Sequence, residues 1–218
     1  MNKETIKGII FDLDGVLLET EYYQWQGWVI PLRELGIELT KEKYFDYAGK
    51  SGKQIEEELI KDFNLNIKKG ELLSKKEPML IKWFKESKLN YMPFAKESVK
   101  FFSSSFKLAL CSGGPKDEVI LKLKNAELIE YFPIIIAGSD VEKSKPAPDI
   151  YLKAKELIGL LSEECLAIKD TQYGLQAAKD AGLNCVAIPN EYSLKQDFLK
   201  ADMVCNSLEE LVKYFNGN

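Results

Sequence analysis

Two acids close an apolar run near the start of the chain: residues 9 to 16 read IIFDLDGV, and Ile6, Ile9, Ile10 and Phe11 lead into Asp12 and Asp14. The run has the pattern of a buried strand. Strand side chains repeat every two residues, so both carboxylates are expected to project toward one face at the strand's end. Like charges held that close repel, and burial raises the cost of ionising either. A bound cation is the expected compensation.

Three further strand ends carry polar residues suited to phosphate or metal. LALCSGGP sets Ser112, Gly113 and Gly114 at the opening of a helix, with Pro115 near its first turn. A hydroxyl and exposed N–H groups there suit a phosphoryl group. EKSKPAPDIY holds Lys145 in a loop stiffened by Pro146 and Pro148, and CLAIKDTQYGLQAA ends a strand at Lys169 and Asp170 before entering a helix across Thr171 and Gly174. Singly, each has a plainer reading. Ser112 or Asp170 could cap a helix, and Lys145 could be a solvated lysine. Gathered at the strand ends of one sheet, they are better read together.

That gathering requires a particular scaffold. From residue 106 onward, the short apolar runs FKLALC, PIIIAG, CLAIK, NCVAI and DMVCN alternate with the helical patterns PKDEVILKLKNAEL, PDIYLKAKELIG and TQYGLQAAKDAG. Near-continuous apolar strands between helices predict an α/β fold, a doubly wound parallel sheet covered on both faces. Ligands of such sheets collect beyond the carboxyl ends of the strands. Residues 20–90 instead show helical periodicity: Ser51 with Gln54 fits a capping box, Thr40 precedes a short helix, and NIKKGELLSKKEPMLIKWFKES predicts a long helix kinked or interrupted at Pro78. The expected organisation is a core of residues 1–17 and 92–218 with an inserted helical cap of residues 18–91, linked by GVLLETE and LNYMPFA.

Composition narrows the chemistry. The 218 residues carry a net charge of −4, which offers no basic field for nucleic acid, and no apolar run reaches the length of a membrane span. Cys111, Cys165, Cys185 and Cys205 lie scattered, mostly in apolar runs, and predict free buried thiols of a reducing cytoplasm. The absence of histidine removes Ser-His and Cys-His nucleophile pairs and histidine metal sites. Arg33 is the one arginine, so a phosphate clamp must use lysines, hydroxyls and backbone amides.

DLDGV, a helical insertion, CSGG, KPAPDIY and KDTQYGLQAAKDAG, in that order and over nearly the whole chain, resemble the haloacid dehalogenase-like hydrolases. The branch most resembled has a helical cap after the first strand and includes β-phosphoglucomutase-like and phosphoglycolate-phosphatase-like enzymes. The resemblance implies an Asp12 nucleophile that becomes an aspartyl phosphate. It implies Asp14 as the acid and then the base, and Mg²⁺ held by Asp12, the Asp14 carbonyl and Asp170. Ser112, the Gly113 amide and Lys145 would hold the phosphoryl oxygens. The implied substrate is a small phosphomonoester, such as a sugar phosphate, and the implied protein a cytoplasmic monomer.

Two positions depart from the pattern. An acid usually precedes Asp170 in this branch, and here Lys169 does. An ammonium at about 5 Å from Mg²⁺ is repelled by up to several kcal/mol at an effective dielectric near 20. Three outcomes are open: the lysine turns away along its flexible stem, it reaches the phosphoryl group and takes over part of the metal's role, or it cripples the enzyme. The mutases carry a histidine in the first cap helix where Gln24 stands, which favours a phosphatase over a mutase; Asp14 argues against a dehalogenase. In the cap, Lys50, Ser51 and Lys53 follow the position of a substrate-facing loop, although the capping-box pattern favours a solvated helix start. The stretch YYQWQGW predicts cap core and interface. A phosphate-binding protein without turnover and a receiver-like signalling domain are the rival classes; the second lacks the DxD spacing and the insertion.

Overall fold

A computed structural model describes residues 1–217. Six parallel strands, β1 (Gly8–Phe11), β2 (Lys107–Ser112), β3 (Ile134–Ala137), β4 (Cys165–Lys169), β5 (Asn184–Ala187) and β6 (Met203–Val204), form one sheet in the order β3-β2-β1-β4-β5-β6. Alternation sends neighbouring residues to opposite faces. Ile9, Phe11, Leu110 and Ile168 join one buried cluster, while Ile10, Ala109, Cys111 and Ala167 join another. Helices α5 (Ala95–Ser103), α6 (Lys116–Asn125) and α9 (Leu208–Asn216) cover the first face, and α7 (Asp149–Ile158) and α8 (Gln172–Asp180) the second. All four cysteines are free and buried, as their apolar surroundings predict. None of the described helices is long and apolar enough to cross a membrane.

Between β1 and β2 the chain inserts α1 (Glu21–Glu34), α2 (Lys41–Tyr44), α3 (Gly52–Asp62) and α4 (Glu71–Glu86). They build a core of their own around Trp28, Leu32, Tyr44, Tyr47, Leu59 and Leu72. In the aromatic stretch Trp28 lies inside, and Tyr23 packs on Trp83 and Phe84 of α4, in the cluster that continues into the sheet domain. Thr40 caps α2, and Ser51 with Gln54 forms the full capping box of α3. Helix α4 differs from expectation. It starts only after Gly70, whose φ of 88° ends the preceding turn, and it runs uninterrupted through Pro78. Its start is held by the buried Glu56 carboxylate, which accepts from the amides of Gly70 (2.6 Å), Leu72 (2.9 Å) and Leu73 (3.1 Å). The two linkers pair with each other: Glu19 N–H donates to the Asn90 carbonyl (3.0 Å) and Met92 N–H to that of Leu17 (2.9 Å).

Candidate active site

Asp12 is the first residue beyond β1, and its amide still bonds the Ile168 carbonyl of β4 at 3.2 Å. In the β1–β4 register Ile10 stands opposite Ala167 and Phe11 opposite Ile168, so one further step sets Asp12 beside Lys169. Both side chains point to the face covered by α7 and α8. The Lys169 ammonium lies in contact with the Asp12 carboxylate, and its side chain is wholly buried. From the other side the buried Lys145 Nζ reaches both Asp12 oxygens at 3.2 Å and the Cys111 carbonyl at 3.3 Å. The Leu13 amide donates to Asp12 at 3.0 Å. Of the three outcomes open for Lys169, turning away is the one the structure does not take: Asp12 lies one register step off, and a buried ammonium seeks a carboxylate. Burial pushes Lys169 down to about 8, against the opposing charge of Asp170. Burial likewise lowers Lys145.

Asp14 is neutralised by a different cation. The chain has left the sheet by residue 14, and its carboxylate meets Lys122 of α6 at 2.5 Å, the Thr20 hydroxyl, and the Ser112 hydroxyl at 3.3 Å. Burial would raise Asp14, but Lys122 and the two hydroxyls outweigh it and hold the carboxyl below its ordinary value. Burial pulls Lys122 down while Asp14 and Glu118 raise it, and the raising wins. From Lys122 a polar chain continues to Glu118 (2.6 Å), Gln24 (3.2 Å) and Lys76 of α4 (2.6 Å), joining sheet domain and insertion. The repulsion expected between Asp12 and Asp14 is thus relieved by separate lysines rather than by one shared cation.

Asp170 closes the third side. It is buried and accepts from the Asn190 side chain at 2.9 Å, while Thr171 caps α8. Burial raises its carboxyl despite the opposing ammoniums of Lys169 and Lys145. Nearby, Glu21 accepts from the Tyr44 hydroxyl at 3.1 Å and is raised to about 7 by burial and by the charges of Asp170 and Asp14.

These groups face a cavity of about 520 Å³ between sheet and insertion, lined by Asp12, Asp14, Gly113, Lys145, Asp170 and Thr171 below and by Lys50, Ser51 and Lys53 above. Gly49 (φ 87°) lets that upper loop rest on the core, for a Cβ there would come within 2.8 Å of Thr171. Lys50 is tied to Glu58 at 2.6 Å, whereas Lys53 is exposed. Ser112 lies just behind the cavity, accepting from the Gly114 amide at 3.3 Å; it is the last residue of β2 and does not cap α6, which opens after Pro115. Sequence reasoning missed Lys122, Glu118, Lys76 and Glu21. Glu118 and Lys122 are an i,i+4 pair that reads as a solvated helix face, and only their crowding among Val119, Leu123 and Ala126 hints at burial.

The family model of the haloacid dehalogenase-like hydrolases matches residues 9–188. Protein CbbY of Rhodobacter capsulatus is 30% identical over 207 residues, 90% of this chain and 91% of CbbY. A phosphorylated carbohydrates phosphatase of Thermotoga maritima is 29% identical over 184 residues, 82% of each chain. A solved structure of a CbbY mutant from Rhodobacter sphaeroides in complex with xylulose-(1,5)bisphosphate matches with a TM-score of 0.82 at 25% identity, covering 94% of this chain and 96% of that one. With DLDGV, Lys145 and Asp170 converging on one cavity, the chain belongs to the haloacid dehalogenase-like hydrolases, enzymes that include phosphatases among its relatives.

Proposed function

We propose that this enzyme hydrolyses a small phosphomonoester, a sugar phosphate being the substrate class of choice, through an aspartyl phosphate on Asp12. The observation that carries the reading is Asp12 itself: a carboxylate on the cavity floor, held between two buried lysines, with further lysines above. An Asp12 oxygen attacks phosphorus, and the bond from phosphorus to the leaving oxygen breaks. Lys145 and the amides around Gly113 stabilise the charge spread over the phosphoryl oxygens. Asp14, held ionised by Lys122, is set up as the base that takes a proton from the water attacking the phosphoenzyme. To act first as the acid that protonates the leaving oxygen, it must leave Lys122 and collect a proton. Hydrolysis restores Asp12 and releases inorganic phosphate.

Mg²⁺ is the cofactor that the family resemblance implies, and its ligands here would be Asp12, the Asp14 carbonyl and Asp170. They do not fit it. Lys169 and Lys145 take both Asp12 oxygens, and Asn190 takes an oxygen of Asp170. Among the described residues no three histidine, cysteine or carboxylate side chains gather into a cluster.

Gln24 spends its amide on Glu118 and Lys76 and has no titratable proton for sugar chemistry, so the phosphatase reading stands ahead of the mutase. Residues 18–91 would serve as the lid that excludes water. A panel of phosphomonoesters, sugar phosphates foremost, tests the proposal: release of inorganic phosphate that vanishes in Asp12→Asn supports it, and no release from any ester sinks it.

A further inference from the structure

We propose that the Lys169 ammonium is the built-in cation of the phosphoryl site, standing where a divalent metal would be needed and keeping one out. The inference rests on reading the Asp12 cavity as a phosphoryl site. Three independent features of the fold build the position. The β1–β4 register makes Asp12 and Lys169 lateral neighbours, so the contact is fixed by the sheet rather than by a flexible loop. Burial leaves the ammonium no route to solvent, and the carboxylate is its outlet. Gly174, in the first turn of α8, clears the space through which the lysine stem passes: a Cβ there would overlap Cε and lie 2.8 Å from Nζ. The lysine is thus accommodated from behind as well as paired in front.

Charge bookkeeping supports the substitution. A glutamate at 169 together with a bound dication would carry one net positive charge, and the single ammonium carries the same. Adding a dication beside Lys169 and Lys145 would instead place three cations around Asp12 and Asp170, with repulsion undiminished by water. Lys169 cannot coordinate an oxygen as a metal does. It can neutralise Asp12 as the anionic phosphoryl group approaches, which is what attack of one anion on another requires.

Two calorimetric titrations, neither depending on turnover, decide the matter. Mg²⁺ is titrated into wild type and Lys169→Glu, and inorganic phosphate into wild type and Lys169→Met, in chelator and in Mg²⁺. The expected results are Mg²⁺ binding at least tenfold tighter in Lys169→Glu than in wild type, and phosphate binding by wild type in chelator that Mg²⁺ does not strengthen. Phosphate affinity should fall tenfold or more in Lys169→Met. Equal Mg²⁺ affinities in wild type and Lys169→Glu, phosphate binding by wild type that requires Mg²⁺, or full phosphate affinity in Lys169→Met would each overturn the inference. Should either variant fail to fold, the phosphate titration of wild type with and without Mg²⁺ decides alone. Turnover of the ester panel reports separately on the phosphatase reading: a wild type that binds phosphate without metal yet hydrolyses nothing would end that reading and leave the role of Lys169 standing.

Discussion

In the proposed mechanism Asp12 has two tasks that pull against each other, attacking phosphorus and neutralising two buried ammoniums. Asp12→Asn keeps the shape and deletes the charge, so turnover should disappear. It also strands Lys145 and Lys169, and removing one partner of a buried ion pair typically costs about 3–5 kcal/mol. The variant should therefore unfold at lower denaturant and bind inorganic phosphate more tightly than wild type, because the anion now meets two cations and no carboxylate. Chemical denaturation and calorimetry read these two effects, and a variant of unchanged stability would mean that the lysines shed their protons instead. Glu21 supplies a pH signature. Its pKa of about 7 in the fold lies above the 4.5 of an ordinary glutamate, so between those values the native state keeps a proton that the unfolded chain has released. Stability must then fall as pH rises through that window and level off above it. Glu21→Gln should flatten this slope in thermal unfolding curves from pH 4.5 to 7; an unaltered slope would place its origin elsewhere.

The elements differ in how far local sequence specifies them. Strands were legible because buried parallel strands are apolar runs too short for helices, and Ser51 and Thr40 were legible because capping is settled within four residues. Helix α4 was not, because its start depends on Glu56, which sits 14 residues before Gly70 and reads as one more charge on α3. The site splits the same way. Asp12 and Asp170 announce themselves by position at strand ends and Lys145 by its proline-stiffened loop, whereas the orientation of Lys169 follows from cross-strand register and a missing side chain on the next helix, neither of which periodicity reveals. Glu56 offers the test at this scale. Its carboxylate takes three amides in a buried position, so Glu56→Ala should cost about 1.5–3 kcal/mol in denaturant unfolding, while the sheet domain's own core is untouched. A loss under about 0.5 kcal/mol would show that water replaces the carboxylate there.

For the whole molecule the question is what sets the insertion over the sheet. The two backbone bonds between the linkers do not set the angle by themselves, so further contacts must fix it. Asn125, at the last turn of α6, supplies one: its amide donates to the carbonyls of Phe84 (3.1 Å) and Ser87 (2.9 Å) at the end of α4, and its oxygen accepts from the Leu89 amide (3.1 Å). The same helix carries Lys122 and Glu118, which reach Asp14 and, through Gln24, Lys76 of the insertion. One helix of the sheet domain therefore positions both Asp14 and the roof of the cavity. Asn125→Ala should cost about 1–3 kcal/mol of stability, since it removes three hydrogen bonds at partly buried backbone groups. It should also loosen the roof without touching the floor. Turnover of a sugar phosphate, which must be gripped from above, should then lose several-fold in kcat/KM, mainly through KM, while an aryl phosphate with a good leaving group and little to grip is barely affected. Equal losses on the two esters would show that Asn125 holds the fold together without orienting the insertion, and the angle would have to be traced to the Lys76–Gln24–Glu118 chain instead.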